Sequence, residues 1–332
     1  MPHIVSVRRF GAAMALGAIL TGCSNSAAFA PTSGSDSSNA AVQRTRVLAG
    51  GHGPRSRATG AAARGWLSPD AKHRRKGLIY WGSYDKNTIT IYSARGTNGK
   101  EKGQITTGLS NPERLFVDTA HNVYATNLGN NTITAYQPGQ TSPFLTISNG
   151  VNSPTGLTVD AAGTVYCANV GNDTITVYPK GQTSPSLTIP TSSSPEYLAT
   201  DASDNLYASI NTQVWEFAPG STTGKNLGLA VSSPGALEVD KAGNLIVLDL
   251  STIDYFPAGK TQPTKQISVT AGFPFAFALS ADEKALYVSE GSGSTFIIQH
   301  VRYPNGTTLA NKLTTNGGEW PLAVSPDNAL GG

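Results

Sequence analysis

Six prolines set the frame of this chain. Pro112, Pro154, Pro195, Pro234, Pro274 and Pro321 follow one another at intervals of 42, 41, 39, 40 and 47 residues. Six residues after each stand Asp118, Asp160, Asp201, Asp240, Ser280 and Asp327. One offset kept six times marks a repeated structural unit. A period near forty residues narrows the available architectures more than any property of composition.

Within a unit the pattern is short β-type runs separated by turn residues. The stretch from Pro154 to Ser194 serves as the reference. Its first strand is Gly156-Leu157-Thr158-Val159, after which Asp160 opens a tight turn. Gly163, Gly243, Asn122 or Asn205 lie near the position of such turns that favours positive φ. Second strands follow at Val123-Tyr124-Ala125-Thr126, Val165-Tyr166-Cys167-Ala168, Leu206-Tyr207-Ala208-Ser209 and Leu286-Tyr287-Val288-Ser289. Turns such as Gly129-Asn130-Asn131 and Gly171-Asn172-Asp173 lead to third strands at Thr132–Tyr136 and Thr174–Tyr178. A Gly-Gln-Thr-Ser-Pro turn then precedes fourth strands at Leu145–Ile147 and Leu187–Ile189. Four antiparallel strands in each repeat predict the blades of a β-propeller. Because both faces of a blade pack on neighbours, its inner strands are apolar on both sides. The rival, a solenoid of parallel coils, repeats in fewer residues and lacks these hairpin turns.

The first unit is incomplete. Strands at Leu78–Trp81, Thr88–Tyr92 and Gln104–Thr106 match the second to fourth of the repeat, and the missing first strand stands at the other terminus as Leu322-Ala323-Val324-Ser325. Trp66–Asp70 competes for that slot but has Arg64, not proline, six residues before its Asp. The expected fold is therefore all-β: a six-bladed propeller of four-stranded antiparallel blades over residues 77–332, its ring closed by the C-terminal strand.

Through runs such as Ser153-Pro154-Thr155-Gly156-Leu157-Thr158-Val159-Asp160 and Val165-Tyr166-Cys167-Ala168-Asn169, the units resemble NHL-type six-bladed propellers. The resemblance covers roughly residues 77–332. It is best in blades two and three and weakest in blade six, where Phe296 to Gly317 reads as longer and irregular. It implies the fold; propellers host enzymes, binding modules and scaffolds alike.

The N-terminal part reads as an address. Arg8 and Arg9 precede a short apolar run from Phe10 to Leu20, too brief to span a bilayer. The run ends in Leu20-Thr21-Gly22-Cys23, which resembles the lipobox of bacterial lipoproteins. That resemblance implies a signal peptide over residues 1–22 and a diacylglycerol anchor on Cys23. The alternative is cleavage after Ala28-Phe29-Ala30, releasing a soluble secreted protein. Residues 23–76 hold few large apolar side chains and read as a disordered basic tether. Over residues 1–76, 11 Lys and Arg face Asp36 and Asp70, a balance of +9; residues 77–332 hold 13 against 19, a balance of −6. The expected location is the extracytoplasmic cell envelope, which argues against a nucleic-acid partner. Of the two cysteines, acylation of Cys23 leaves Cys167 alone inside a β run, where it reads as a small buried hydrophobe.

Propeller chemistry concentrates at the mouths of the central channel. Glu113, Thr155, Glu196, Gly235, Phe275 and Leu322 follow the six prolines, and Ser83, Asn127, Asn169, Ile210, Asp249 and Glu290 stand at the second-strand ends. From these, Glu113, Glu196, Asn127, Asn169, Asp249 and Glu290 are the candidate ligand-binding residues at the channel mouth. Carboxylates with Asn oxygens suit a hard divalent cation. Gluconolactonase-type propellers resemble this arrangement, which implies a metal-polarised lactone carbonyl. Gly235, Phe275 and Leu322 depart from that ligand ring. The five histidines, at 3, 52, 73, 121 and 300, form no nucleophile–base grouping with the repeats. The reading adopted is a monomeric, membrane-anchored binding or scaffold module for a protein, carbohydrate or other small polar ligand, without a cofactor. The alternatives are a metal-dependent hydrolase of the gluconolactonase type and a purely structural envelope protein.

Overall fold

A computed structural model describes residues 77–94, 101–269, 272–280, 282–292, 295–315 and 319–324. The signal-like run, Cys23, the basic segment and Asp327 lie outside the described residues. Among the described residues there is no helix, and the strands form six sheets of four strands each.

Blade two shows how the sequence dictates a blade. Pro112–Val117, Val123–Asn127, Thr132–Tyr136 and Leu145–Ile147 pair in chain order, each antiparallel to the next. Its first turn is closed by Asp118, whose Oδ1 accepts from the Asn122 N–H at 2.7 Å while Oδ2 accepts from Asn122 Nδ2 at 2.8 Å. Asp160, Asp201 and Asp240 accept from the N–H groups of Thr164, Asn205 and Asn244 in the same way, and Ser280 Oγ accepts from Lys284 and Ala285. The positive φ falls on the third residue after the turn-opening side chain: His121, Gly163, Asp204, Gly243 and Glu283. The asparagines expected near that place, Asn122 and Asn205, stand one residue later, where the amide can reach back to the aspartate.

Blades three to six begin with Pro154–Val159, Pro195–Thr200, Pro234–Val239 and Phe273–Leu279. The six first strands are the inner edges of the sheets and touch one another in cyclic order around the ring. Apolar side chains between adjacent blades form the core, in six clusters of buried residues. Cys167 is fully buried in one of them, and burial pushes its thiol up from the ordinary value.

Blade one joins the two ends of the domain. Leu78–Ser83, Thr88–Ser93 and Glu101–Ile105 are completed on the inner side by Glu319–Val324. Val324, Ala323 and Leu322 pair with Ile79, Tyr80 and Trp81, so the C-terminal strand closes the ring as expected. The proline frame, however, slips here. Glu319 pairs with Ser83 as Pro112 pairs with Asn127, so Pro321 stands two residues beyond its counterparts. Leu322 therefore takes the place of the core residue Leu115, with 2 % exposure, rather than a place at the mouth. The stretch from Phe296 in blade six, expected to be longer and irregular, forms strands as long as any in the described domain. Their pairing shifts register between Ile298 and Gln299 and between His300 and Val301. Thr295–Arg302 and Thr308–Thr315 are eight residues each, and His300 stacks on Tyr287 with centroids 5.0 Å apart.

Candidate functional site: the channel mouth

Each inner strand starts with the same irregularity. Between Pro112 and Arg114, Pro154 and Gly156, Pro195 and Tyr197, Pro234 and Leu237, and Pro274 and Ala276, it carries one residue more than its partner. Such a bulge bends the strand and re-aims the side chain of the extra residue. The bulges hold Glu113, Thr155, Glu196, Gly235 and Phe275. A bulge also frees a backbone N–H, which must find a partner if buried. Thr126 Oγ1 accepts from the Arg114 N–H at 2.9 Å and Ser209 Oγ from the Tyr197 N–H at 3.2 Å.

Contacts between blades that are not neighbours locate the site. The Arg114 guanidinium lies over the Tyr197 ring, 4.9 Å from its centroid. One residue belongs to blade two and the other to blade four, so their contact crosses the channel. Blade three has Gly156 at the matching position, and no side chain stands in the way there. A Cβ added to Gly156 would meet the Glu196 carbonyl oxygen at 2.7 Å and the Ala168 Cβ at 2.9 Å. Substitution of Gly156 by Ala is therefore expected to destabilise the domain by about 1–3 kcal/mol, measured by urea unfolding, because backbone rather than a flexible side chain must yield.

Two carboxylates, Glu113 and Glu238, act on this guanidinium, and Glu196 acts on Glu113. Burial pushes the Glu113 carboxyl up from 4.5 to about 7, against the pull of Arg114 and with Glu196 adding to the rise. Burial likewise raises Glu238, on the inner strand of blade five, to about 7, although the Leu279 N–H and Arg114 favour its charged form. Glu238 Oε2 accepts that N–H at 3.0 Å, occupying one of the backbone donors that the inner edge of blade six presents. Burial lowers Arg114 itself, opposed by Tyr197, Glu238 and Glu113.

These shifts fix the sign of the pH dependence. Glu113 and Glu238 bind their protons more tightly folded than unfolded, so ionisation costs stability. The full contribution is present below about pH 4.5 and is lost as pH rises through about 7. Asp254 acts in the same direction, raised by burial first and by Asp249 as well. The urea midpoint is expected to fall between these pH values in the native protein and to fall less in Glu238→Gln. An equal slope in the variant would show that Glu238 does not titrate there.

The second-strand ends serve a different purpose. Asn127 and Asn169 are fully buried. Asn127 Oδ1 accepts from the Ser110 N–H at 3.1 Å, and its Nδ2 donates to Thr132 and Thr134 Oγ1. Asn169 repeats this with Asn152, Thr174 and Thr176. Asp249 accepts from the Ser232 and Ser233 N–H groups at 2.8 and 2.6 Å. All three clamp the loop that enters their blade from the preceding one. Glu290 is fully buried within blade six. Of the six candidate residues, the structure thus brings Glu113 and Glu196 together at the channel and engages Asn127, Asn169 and Asp249 inside the blades.

This division bears on the metal reading. The carboxamide oxygens that would complete a hard-cation site are already hydrogen-bonded elsewhere, and Glu113 lies in the field of the Arg114 guanidinium. That donor set does not fit a divalent cation. Among the described residues, no three His, Cys, Asp or Glu side chains group to hold a metal ion. Arg114, Tyr197 and Glu238 belong to the site but lay outside the candidate set. Each departs from the reference blade, which has Gly156 where Arg114 and Tyr197 stand and Thr158 where Glu238 stands.

No family model and no curated protein sequence matches the chain. Solved structures do. A chain in the crystal structure of a nidogen/laminin complex superposes with a TM-score of 0.62 at 16 % identity, over 76 % of this chain and 99 % of that one. A protein of unknown function from Bacteroides caccae superposes with a TM-score of 0.59 at 10 % identity, over 75 % of this chain and 98 % of that one. What they share is the fold. That fold is consistent with a binding or scaffold module and does not by itself fix a function.

Proposed function

We propose that this protein is a binding module of the NHL-like propeller kind, held at the outer side of a membrane by lipid on Cys23. Its ligand is polar and enters the channel mouth between Glu113 and Glu196. The observation that carries this reading is the Arg114–Tyr197 contact across the channel, flanked by carboxylates. A propeller needs none of these groups to fold, since blade three has Thr155, Gly156 and Thr158 at the corresponding positions. Burying a guanidinium and two carboxylates costs stability unless they are paired or used. Glu113 and Glu238 beside one guanidinium, with Glu196 acting on Glu113, suit the site to a cationic group, whose arrival favours the ionised carboxylates.

The test is ligand-induced stabilisation of the full chain by a panel of amines, amino acids and amino sugars. The expected result is a rise in Tm with at least one cationic compound that is lost in the Glu113→Gln/Glu196→Gln double variant. Proton release on binding at neutral pH should accompany it, because a bound cation favours the ionised form of Glu113. Undiminished stabilisation of the double variant would overturn the assignment. Lipidation is tested separately: fatty-acid labelling should be present in the native chain and absent in Cys23→Ser.

A further inference from the structure

The mouth is not acidic all round. Glu113, Thr155 and Glu196, from blades two to four, make one arc of bulge residues. Blades five and six contribute Gly235 and Phe275. The Phe275 ring packs against Phe296 and Phe273, with centroids 5.9 and 5.8 Å away. Phe273, which opens the inner strand of blade six, is 51 % exposed. Leu250 forms the tip of the tight turn after the second strand of blade five and is 43 % exposed. Both stand on the mouth face, since first strands begin and second strands end there.

Leu250 is costly twice over. It presents a large apolar side chain to water, and it does so at φ 56°, where residues other than Gly, Asn and Asp are disfavoured. Blade four solves the same two-residue turn with Asn211 at φ 55°. Neither folding nor the turn explains a leucine there. Strain and exposure at one residue, on the same face as an exposed phenylalanine and the charged mouth, mark an interaction surface.

Building on the reading of the mouth as a cation site, we infer that this face docks a protein partner through a segment in which a lysine or arginine is flanked by large apolar residues. The basic side chain enters the acidic arc, and the apolar neighbours cover Phe273 and Leu250. Charge selects the occupant: residues 77–332, which contain the described domain, hold 19 acidic residues against 13 basic ones, so the domain attracts a basic segment.

The experiment titrates the full chain with a capped pentapeptide holding lysine between phenylalanine and leucine. Its controls are the peptide with glutamate for lysine, the peptide with serine for both apolar residues, and free lysine amide. Either peptide change is expected to weaken binding at least about tenfold. Leu250→Asn and Phe273→Ser are each expected to weaken the parent peptide about five- to tenfold while leaving lysine amide binding unchanged. Leu250→Asn keeps the fold, because Asn211 already occupies the matching turn. Equal binding of the glutamate peptide, unchanged affinity in both variants, or lysine amide binding as tightly as the peptide would each overturn the inference. The last outcome would leave the cation site itself standing. Adsorption of the Cys23→Ser chain to phosphatidylcholine vesicles that a further Phe273→Ser change abolishes, with no peptide binding, would overturn it in favour of a membrane contact.

Discussion

A chain ending before Glu319 should lose the cooperative unfolding transition of the intact protein, or show it at a far lower temperature. The strand removed carries Leu322 and Ala323, exposed by 2 % and 5 %, which pack with Trp81, Tyr80 and the inner side of blade six. Its loss strips the inner edge from blade one and leaves the backbone of Leu78–Ser83 unpaired on that side. Trp81, Tyr80 and Ile79, each no more than 1 % exposed, would then face an opened channel wall. Deleting one buried leucine already costs a few kcal/mol, and the strand also contributes ladder hydrogen bonds. The total is on the order of 5–10 kcal/mol, the same size as the net stability of a typical domain. Thermal denaturation followed by far-ultraviolet circular dichroism measures it. A midpoint unchanged by the truncation would show that the ring holds without its closing strand.

Asn169→Ala should produce the second-largest effect, a loss of about 2–4 kcal/mol in urea unfolding. The substitution removes the acceptor of the Asn152 N–H and the donor to Thr174 and Thr176. A buried group left without a partner costs about 1–3 kcal/mol, more than the net worth of the bond that satisfied it. Asn127→Ala should behave alike, since its partners Ser110, Thr132 and Thr134 repeat the arrangement. Thr155→Ala, at the mouth of the same blade, is expected to stay within about 0.5 kcal/mol of the native protein, because its side chain is partly exposed and makes one long bond to the Pro195 carbonyl at 3.4 Å. If Asn169→Ala unfolded like the native protein yet lost ligand binding, the clamp assigned to it would be wrong.

The two asparagines show what kind of information the repeat holds. A polar residue recurring at one register position, as Asn127 and Asn169 do, marks either a repeated ligand or a repeated structural joint. The spacing alone leaves both open. What decides between them is the partner. The Ser110 and Asn152 N–H groups lie 17 residues earlier in the chain, in the loop entering the blade, and only the folded geometry brings them to the carboxamide. Asp249 carries the same joint in blade five with a carboxylate, so a change of residue type there left the role intact.

Blade architecture was legible because its causes are local. Proline at the strand start, an aspartate that accepts the N–H four residues on, and short runs of β-branched and aromatic residues each act within a few residues. Even ring closure could be read, since blade one lacked a strand and the C-terminus had one to spare. The register of that strand could not. Glu319 rather than Pro321 occupies the place of Pro112, because pairing with Leu78–Ser83 sets Leu322 against Trp81 in the core. The site divides in the same way. Glu113 and Glu196 were visible as departures from the reference blade. The cross-channel contact of Arg114 with Tyr197 was not, because it joins residues 83 positions apart on blades that are not neighbours. By itself the sequence determined the blade, the number of blades and the way the ring closes, since these follow from turn chemistry and the hydrophobic pattern. Only the tertiary structure decided which side chains meet in the channel, because closing a ring places side by side what the chain keeps apart.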